Sequence, residues 1–378
     1  MRIESVDVFV LRHQLADVRG PASAWYDSRS SILVRLKDED GVTGWGETYA
    51  GAGLAATISE LGRGLIGGDP FAVRSHWLAL AGRSRNGFAV APIAIALDDL
   101  RARRLGVPVS TLYGGAVRNR VRAYASSGGY YRDVDPEESW LAETARFVEQ
   151  GFSAVKLRIG RYEIARELRN LARVRESLPA GLELMADGNG AYTLPQAIVV
   201  GRELERLGFR WFEEPLTRLI AGSDYPGYTQ LADTLDIAVA AGEGLQTRSA
   251  FAAFIADRKA DIVQPDVAIC SGIGETLLVA EIASLAGMSC VPHAWGGAVL
   301  MAATLQVLAV IPDVSEVPLH AAPLLEFDTF ENPLLSRLAH GLPRLVDGYV
   351  DIPAQPGLGI DVDIEFVERT ALETVASQ

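Results

Sequence analysis

Residues 182–214 of the chain read LELMADGNGAYTLPQAIVVGRELERLGFRWFEE. The segment opens with a short apolar run, 182–187, and passes through a glycine-bearing turn into a stretch of helical period that begins after Thr193 and ends near Gly208. A second extended run, 209–214, follows. Because a helix connects the two extended runs, they can lie side by side only as parallel strands. The segment therefore predicts one β–α–β unit.

The same pattern recurs along the chain from about residue 121. Eight β-like runs alternate with turns and helical stretches, and they span residues 121–126, 154–159, 182–187, 209–214, 237–243, 261–266, 289–293 and 323–328. Eight strand–helix units within roughly 200 to 250 residues are typical of a (β/α)₈ barrel. We predict the α/β class and a TIM-type barrel.

The two ends of the chain have a different pattern. Before residue 119, three strand-like stretches (2–12, 30–37 and 42–47) precede helical segments, and the tail after residue 346 is rich in Pro and Gly. We predict three parts: an α+β capping domain at 1–118, the barrel at 119–345, and a C-terminal segment at 346–378 that returns to the cap.

Composition limits the classes of partner. The chain has 378 residues and a formal charge of −13, which disfavours nucleic acid and anionic membranes as partners. Its longest apolar run, 298–311, is interrupted by Gln306 and is too short to span a bilayer. Cys270 and Cys290 lie in apolar segments and are expected to be buried, reduced thiols. We expect a soluble cytoplasmic protein.

Charged and amide side chains stand at the C-terminal ends of the second to eighth predicted strands. In chain order they are Lys156, Arg158, Asp187, Asn189, Glu213, Glu214, Glu243, Asp266, His293 and Glu326. Each residue alone has an ordinary structural explanation, such as capping the following helix. Together they point to a site, because strand ends of this polarity meet at the mouth of a barrel, where the active sites of this fold are built.

Three of these residues are carboxylates on adjacent strands: Asp187, Glu213 and Glu243. Such a cluster repels itself unless a hard divalent cation neutralises it, and an all-oxygen ligand set suits Mg²⁺ better than Zn²⁺. Side chains alternate along a strand, so only one of Glu213 and Glu214 can face the mouth. We predict Glu213 as the ligand of one Mg²⁺ per subunit, with Glu214 behind it, pairing with a nearby cation, and Asn189 as a supporting residue.

The remaining residues predict proton transfer beside this metal. Alternation places Lys156 and Arg158 on one face of their strand, and His293 with Asp266 lies on the other side. An aspartate fixes the tautomer of a histidine, as a general base requires. This arrangement suits removal of a proton next to a carboxylate, with the metal and Lys156 stabilising the enediolate.

The set resembles the enolase superfamily and, within it, the mandelate racemase/muconate lactonizing enzyme family. The motifs are VKLRIG (155–160), MADGNG (185–190), WFEEP (211–215), AGE (241–243), QPD (264–266), VPHAWGG (291–297) and LLEFDTFENPL (324–334). The resemblance covers nearly the whole chain and implies a Mg²⁺ enzyme acting on a small hydroxy acid or sugar acid. It assigns Asp187, Glu213 and Glu243 as metal ligands, His293 and Asp266 as the dyad, and Glu326 as the acid that hydrogen-bonds the substrate carboxylate. It also implies a homo-oligomer, and the acid-sugar dehydratases and galactarolactone cycloisomerases look most similar.

Arg158 departs from the family pattern, which has a second lysine at this position. A guanidinium keeps its proton at ordinary pH, so a two-base racemisation is disfavoured. We therefore predict dehydration to a 2-keto-3-deoxy acid, with His293 acting first as base and then as acid. The alternatives are cycloisomerisation of an aldarolactone, racemisation or epimerisation, a catalytically silent relative that binds a metabolite, and an unrelated barrel whose acids only cap helices.

The cap is expected to choose the substrate, because its loops close over the barrel mouth. Candidates for substrate contact are Arg19, Trp25, Tyr26 and Tyr49. The aromatic residues among them can equally serve as ordinary packing between the two domains.

Overall fold

The protein is described by a computed structural model that covers residues 1–126, 129–217, 225–312 and 323–377. The strands are β1 Ile3–Gly20, β2 Tyr26–Asp38, β3 Thr43–Tyr49, β4 Arg120–Ser126, β5 Tyr130–Tyr131, β6 Ala154–Arg158, β7 Glu183–Asp187, β8 Trp211–Glu213, β9 Ala238–Ala241, β10 Ile262–Val263, β11 Ser289–Cys290, β12 Leu325–Asp328, β13 Ala339–His340, β14 Leu345–Val346, β15 Tyr349–Asp351, β16 Asp361–Val362 and β17 Ala371–Ser377. The helices are α1 Leu54–Arg63, α2 Val73–Arg83, α3 Gly87–Leu105, α4 Pro136–Glu149, α5 Ile164–Ser177, α6 Leu194–Arg206, α7 Tyr228–Thr234, α8 Arg248–Ala256, α9 Ile273–Leu285, α10 Ala298–Val310, α11 Pro333–Ser336 and α12 Ile364–Thr370, and a 3₁₀ turn covers Val109–Tyr113.

Eight parallel strands form the barrel, and each lies within one of the eight predicted runs or overlaps it. Their hydrogen-bonded order is β12, β4, β6, β7, β8, β9, β10 and β11. The interior is filled by one side chain from each strand or its flank: Tyr124, Ala154, Met185, Trp211, Ala240, Ile262, Val291 and Leu324. The centre is therefore a packed core, and a polar site is possible only at the strand ends.

The barrel helices begin where the sequence signals predict. Asp135 caps α4 by accepting a hydrogen bond from the Glu137 backbone N–H. Thr193 and Gln196 form a capping box at the start of α6. These caps fix the direction in which each helix leaves the strand before it.

The capping domain is built on an antiparallel sheet in the order β17, β1, β2, β3, with α3 packed against β3. The packing is close: a side chain at Gly46 would place its Cβ 1.8 Å from the backbone oxygen of Pro92. Glycine is thus required where the cap sheet meets the helix that leads into the barrel.

The β1–β2 hairpin is longer than predicted and reaches the barrel. Arg19 and Gly20 pair with the short strand β5, which follows the first barrel strand. Beyond the paired residues, the Arg161 guanidinium donates hydrogen bonds to the backbone oxygens of Pro21 and Ala24. The hairpin is therefore held against the barrel mouth.

The C-terminal segment reaches the cap later than residue 346. Strand β15 pairs antiparallel with β4, and β14 pairs with β15, so this hairpin extends the barrel sheet. The last strand, β17, pairs with β1 and completes the cap.

The expectation for the two cysteines is confirmed. Cys270 and Cys290 are free and buried. In the described part of the chain, no helix has the length and apolarity that crossing a membrane requires. The homo-oligomer and the cytoplasmic location stay predictions.

Candidate active site

Strand register places charged residues side by side at the barrel mouth. Arg158 pairs with Asp187 across β6 and β7, and Asp187 pairs with Glu213 across β7 and β8. Arg158 Nη1 lies 3.0 Å from Asp187 Oδ2 and donates to Asn189 Oδ1 at 3.1 Å. Asn189 also donates its own backbone N–H to Asp187, at 2.8 Å. The three neighbouring strands therefore bring these groups into one hydrogen-bonded cluster.

Lys156 is buried at the centre of this cluster. Its Nζ lies 2.5 Å from Glu213 Oε1, 2.7 Å from Glu326 Oε1 and 3.7 Å from Asp187 Oδ2. Burial alone would lower the pKa of Lys156, but Glu213 and Glu326 raise it well above its usual value. Lys156 is thus an ammonium that connects strands β6, β8 and β12.

The neighbours Glu213 and Glu214 point to different places. Glu213 accepts hydrogen bonds from Lys156 and from Trp211 Nε1, the latter at 3.0 Å. Burial raises the pKa of Glu213 to about 7, although Lys156 opposes the shift. Glu214 has a φ of 41° and accepts from the Tyr225 hydroxyl at 3.2 Å. The change in backbone conformation turns the second glutamate away from Lys156.

His293 and Asp266 lie opposite each other at the ends of neighbouring strands. His293 Nδ1 is 2.6 Å from Asp266 Oδ2, and this oxygen also accepts the Tyr49 hydroxyl at 2.6 Å. His293 Nε2 lies 3.5 Å from Glu243 Oε2 and 3.9 Å from Glu326 Oε2. Burial alone would lower the pKa of His293, but Glu243 and Glu326 raise it to about 10. Nε2 is therefore the ring atom that faces the mouth.

Glu326 already receives three donors. Its Oε1 accepts from Ser126 Oγ at 2.6 Å and from Lys156, and its Oε2 accepts from the Ala294 backbone N–H at 3.0 Å. Burial alone would raise the pKa of Glu326, but Lys156 and His293 hold it below its usual range. An ionised Glu326 orients Lys156 and joins the last strand to the segment after β11.

Charge and donor chemistry decide whether this site suits Mg²⁺. Within the described ranges, no group of three or more His, Cys, Asp or Glu side chains is arranged so that it could hold a metal ion. The mouth nevertheless combines five carboxylates, four of them buried, with three basic groups: Asp187, Glu213, Glu243, Asp266, Glu326, Lys156, Arg158 and His293. When all five carboxylates are ionised, even a fully protonated set of bases leaves excess negative charge, which a hard cation with oxygen ligands would neutralise. The oxygen donors and the excess negative charge suit Mg²⁺ by their chemistry, although the side chains are not arranged here to share one ion.

The cap contributes a second group of side chains beside Arg158. Arg19, Tyr26, Arg29, Arg158, Trp295 and Phe330 line one small cavity. The Arg29 guanidinium lies 3.9 Å from the centre of a Trp295 ring and 2.6 Å from Asp328 Oδ2. Burial lowers the pKa of Arg29, and Asp328 opposes this shift.

Two of the four cap candidates, Tyr49 and Trp25, contact the protein itself, as the packing alternative allows. Tyr49 hydrogen-bonds Asp266, so its hydroxyl supports the histidine pair. Trp25 is 37% exposed and packs under the Arg161 guanidinium at 3.8 Å, away from the cavity that Tyr26 and Arg19 line. The structure therefore gives Trp25 a packing contact between the hairpin and the barrel.

Sequence reasoning missed Arg29, Ser126 and Trp295. Ser126 is the last residue of the first predicted barrel strand, and this position at a strand end could have identified it as a residue of the mouth. Trp295 follows His293 by two residues, in the motif VPHAWGG. Nothing in the sequence marked Arg29. An arginine in a polar strand segment is expected to be exposed to solvent, and Arg29 becomes buried only because the cap packs on the barrel.

Comparison with known families agrees with this architecture. Residues 140–367 match the family model described as "Enolase C-terminal domain-like", and residues 9–114 match "Mandelate racemase / muconate lactonizing enzyme, N-terminal domain". The chain belongs to the enolase superfamily, in the mandelate racemase/muconate lactonizing enzyme group. It is therefore an enzyme, and its relatives are named as dehydratases and a cycloisomerase.

Three relatives show how close the similarity is. D-galactarolactone cycloisomerase of Agrobacterium fabrum is 35% identical over 374 residues, covering 96% of this chain and 97% of that protein. The structure of 3,6-anhydro-D-galactonate cycloisomerase from Zobellia galactanivorans is 28% identical with a TM-score of 0.87, covering 99% of this chain and 100% of that one. L-talarate/galactarate dehydratase from Salmonella typhimurium LT2, liganded with Mg and L-lyxarohydroxamate, is 30% identical with a TM-score of 0.86, covering 100% of this chain and 94% of that one. These relatives are named for sugar acids or their lactones.

Proposed function

We propose that this enzyme removes the proton α to the carboxylate of a sugar acid, with Mg²⁺ bound, and then eliminates the β-hydroxyl to give a 2-keto-3-deoxy acid. The observation that carries the proposal is the geometry of His293. Its Nδ1 is held by Asp266 at 2.6 Å, and its Nε2 faces a mouth lined by Lys156 and carboxylates. A positioned imidazole beside stabilising cations is the arrangement that enolisation requires.

Asp187, Glu213 and Glu243 would hold the Mg²⁺. When bound, the ion would supply positive charge for the substrate carboxylate and enediolate and would offset Glu243, the residue that contributes most to the raised pKa of His293. With that carboxylate offset, a neutral His293 can accept the α-proton at Nε2. The resulting imidazolium then donates this proton to the departing hydroxyl, which leaves as water.

Lys156 and Glu326 have different roles: Lys156 would contact the substrate, and Glu326 would orient Lys156. The Lys156 ammonium would hydrogen-bond the substrate carboxylate and stabilise the enediolate. The resemblance gave Glu326 the role of hydrogen-bonding that carboxylate, but an ionised glutamate cannot donate, and its oxygens already accept from Ser126, Lys156 and Ala294. We assign Glu326 to positioning Lys156.

The residue type of Arg158 supports elimination over racemisation. A racemase needs exchangeable protons on both faces of the α-carbon, and a guanidinium keeps its proton at ordinary pH. Arg158 is bound to Asp187 and Asn189 at the place where the family pattern has a second lysine. His293 would therefore serve alone as base and acid.

Cycloisomerisation of an aldarolactone is the second candidate, and the 35% identity to D-galactarolactone cycloisomerase favours it. This reaction also begins with loss of the α-proton, but it expels a ring oxygen. The same His293, Lys156 and Asp266 would serve both reactions.

Product analysis tests the proposal. The enzyme with Mg²⁺ is incubated with a panel of aldonates, aldarates and aldarolactones, and products are followed by a 2-keto acid assay and by NMR in deuterated water. Dehydration gives a 2-keto-3-deoxy acid from an open-chain substrate, whereas cycloisomerisation consumes only the lactone. An active enzyme that yields only epimers would refute both eliminations.

His293→Asn separates an enzyme from a silent metabolite-binding relative. Removing the base should lower kcat by at least about 100-fold, the usual scale for losing a general base. Asn119 is exposed and immediately precedes the N-terminal end of β4, opposite the strand ends that form the mouth, so Asn119→Ala serves as the control and should keep wild-type kcat. Equal activity of His293→Asn and wild type on every turned-over substrate would remove His293 from the mechanism.

A further inference from the structure

The cavity beside Arg158 gathers three guanidinium groups around two aromatic rings. The Arg158 and Arg29 guanidinium carbons lie 5.5 and 3.9 Å from the centre of a Trp295 ring. The Arg29 and Arg19 carbons lie 5.9 and 5.1 Å from the Phe330 ring centre. The two rings therefore hold Arg158, Arg29 and Arg19 in sequence, leading from the reaction centre out into the cap.

Several donors in this group are left without an acceptor. Arg19 and Arg158 are 8% and 6% exposed. The Nε atoms of both, and Trp295 Nε1, are buried and have no hydrogen-bond partner among the residues that the structure describes. Buried donors of this kind normally have a partner, and the cost of leaving them unpaired is largest for charged groups.

Each of the three arginines has an acidic neighbour. Arg158 pairs with Asp187 at 3.0 Å and Arg29 with Asp328 at 2.6 Å. Arg19 lies at longer range from its two acids, 3.6 Å from the partly exposed Glu331 and 4.0 Å from the largely exposed Asp17. If Asp187 binds the proposed metal, its charge is shared with the cation. The cavity then offers positive charge and free N–H donors to a ligand.

We propose that this cavity binds the distal carboxylate of the substrate, so that the enzyme prefers a dicarboxylate sugar acid, or its lactone, to a monocarboxylate aldonate. The inference rests on the α-proton abstraction proposed above and deepens it. Arg158 borders both the reaction centre and the cavity, and Trp295 follows His293 by two residues, so one extended molecule can reach both places. A site built to bind an anion rejects the analogue that lacks it, because its donors stay unpaired.

The cavity is closed in this structure. Its free space is about 10 Å³, room for about one water molecule. Leu15 and Tyr26 of the β1–β2 hairpin line it, so these side chains would have to turn aside for a carboxylate to enter. The hairpin would thus cover the distal end of a bound substrate.

Isothermal titration with galactarate and galactonate tests this inference, because these two acids differ only in whether C6 is a carboxylate or a hydroxymethyl group. The titrations use the full chain carrying His293→Asn, saturated with Mg²⁺, so that neither ligand is consumed. We expect galactarate to bind at least about 10-fold more tightly, the scale of one charge-assisted hydrogen bond. Adding Arg19→Gln or Arg29→Gln should reduce this ratio towards one.

Arg35→Gln is the matched control. Arg35 lies on the same strand as Arg29, pairs with Asp7 at 2.7 Å and lies 5.7 Å from a Trp45 ring centre, but it does not line the cavity. Its replacement should leave the affinity ratio unchanged. Circular dichroism verifies folding, and Arg19→Gln carries the test if Arg29→Gln does not fold, since Arg29 is tied to the buried Asp328.

Three results would overturn the inference: equal affinities for the two acids, a ratio that Arg19→Gln leaves unchanged, or no binding of either acid. Failure of the proposed function looks different. In that case wild-type enzyme converts none of the acids while the His293→Asn protein still binds galactarate more tightly than galactonate.

Discussion

The adjacent residues Glu213 and Glu214 show how far the direction of a single side chain can be predicted from the sequence. Alternation along a strand predicts that only one of the two faces the mouth, and the structure turns Glu213 to Lys156 and Glu214 to Tyr225. Contacts that cross between domains could not be read in this way. The bond from Tyr49 to Asp266 joins residues 217 positions apart, and it exists only because the cap lies on the barrel.

Tyr49→Phe tests the role of that contact. Asp266 would lose one of its hydrogen-bond donors and would orient His293 less firmly, so kcat should fall about 10-fold with a smaller change in KM, the scale seen for residues that orient catalytic groups. Steady-state kinetics on the substrate found in the panel measures both constants.

Tyr113→Phe is the control for Tyr49→Phe. Tyr113 also donates to a buried aspartate, Asp98 at 2.7 Å, but away from the mouth. This variant should lose stability and keep kcat. A wild-type kcat for Tyr49→Phe, or an equal fall in both variants, would show that Tyr49 does not position the histidine pair.

At the scale of elements, the sequence predicts which strands and helices exist better than it predicts where each one begins and ends. The eight barrel strands follow from apolar runs and turns, and α4 and α6 follow from their caps. The β1–β2 hairpin was predicted as 2–12 and 30–37 but spans Ile3–Gly20 and Tyr26–Asp38. Its polar outer part is stabilised by pairing with β5 and by Arg161, contacts that no local pattern contains.

Asp99 on α3 connects three parts of the chain, and its replacement tests how much this connection stabilises the fold. Its buried carboxylate accepts from the backbone N–H groups of Trp45 and Leu358, at 2.9 and 2.8 Å, and from Arg103. It thus ties the cap sheet, the linking helix and the C-terminal segment together. Asp99→Ala should lower the free energy of unfolding by about 2–4 kcal/mol, because two buried donors lose their acceptor.

Urea denaturation measures this change. Asp40→Ala is the comparison, since Asp40 is largely exposed and pairs with Arg104 at 2.7 Å; it should cost less than about 1 kcal/mol. Equal losses in the two variants would contradict the role given to Asp99.

At the scale of the whole molecule, the order of motifs along the chain predicts the fold and the family, and both are confirmed. The catalytic residues could be proposed because they stand at the C-terminal ends of barrel strands, a position fixed by topology. The substrate could not be predicted from the sequence, because the cavity proposed for its distal carboxylate is lined by Arg19 and Arg29 of the cap, and of these only Arg19 was a candidate from the sequence. Their burial depends on how two separately patterned regions meet.

The central claim is that Asp187, Glu213 and Glu243 bind one Mg²⁺ at the barrel mouth. Calorimetric titration of EDTA-treated protein with Mg²⁺ tests it most directly, with Asp187→Asn, Glu213→Gln and Glu243→Gln compared with Glu47→Gln, a buried glutamate outside the cluster. We predict one site per chain, at least about 10-fold weaker in each of the three ligand variants and unchanged in Glu47→Gln. No saturable binding to the wild type, or equal affinity in the ligand variants, would contradict the account.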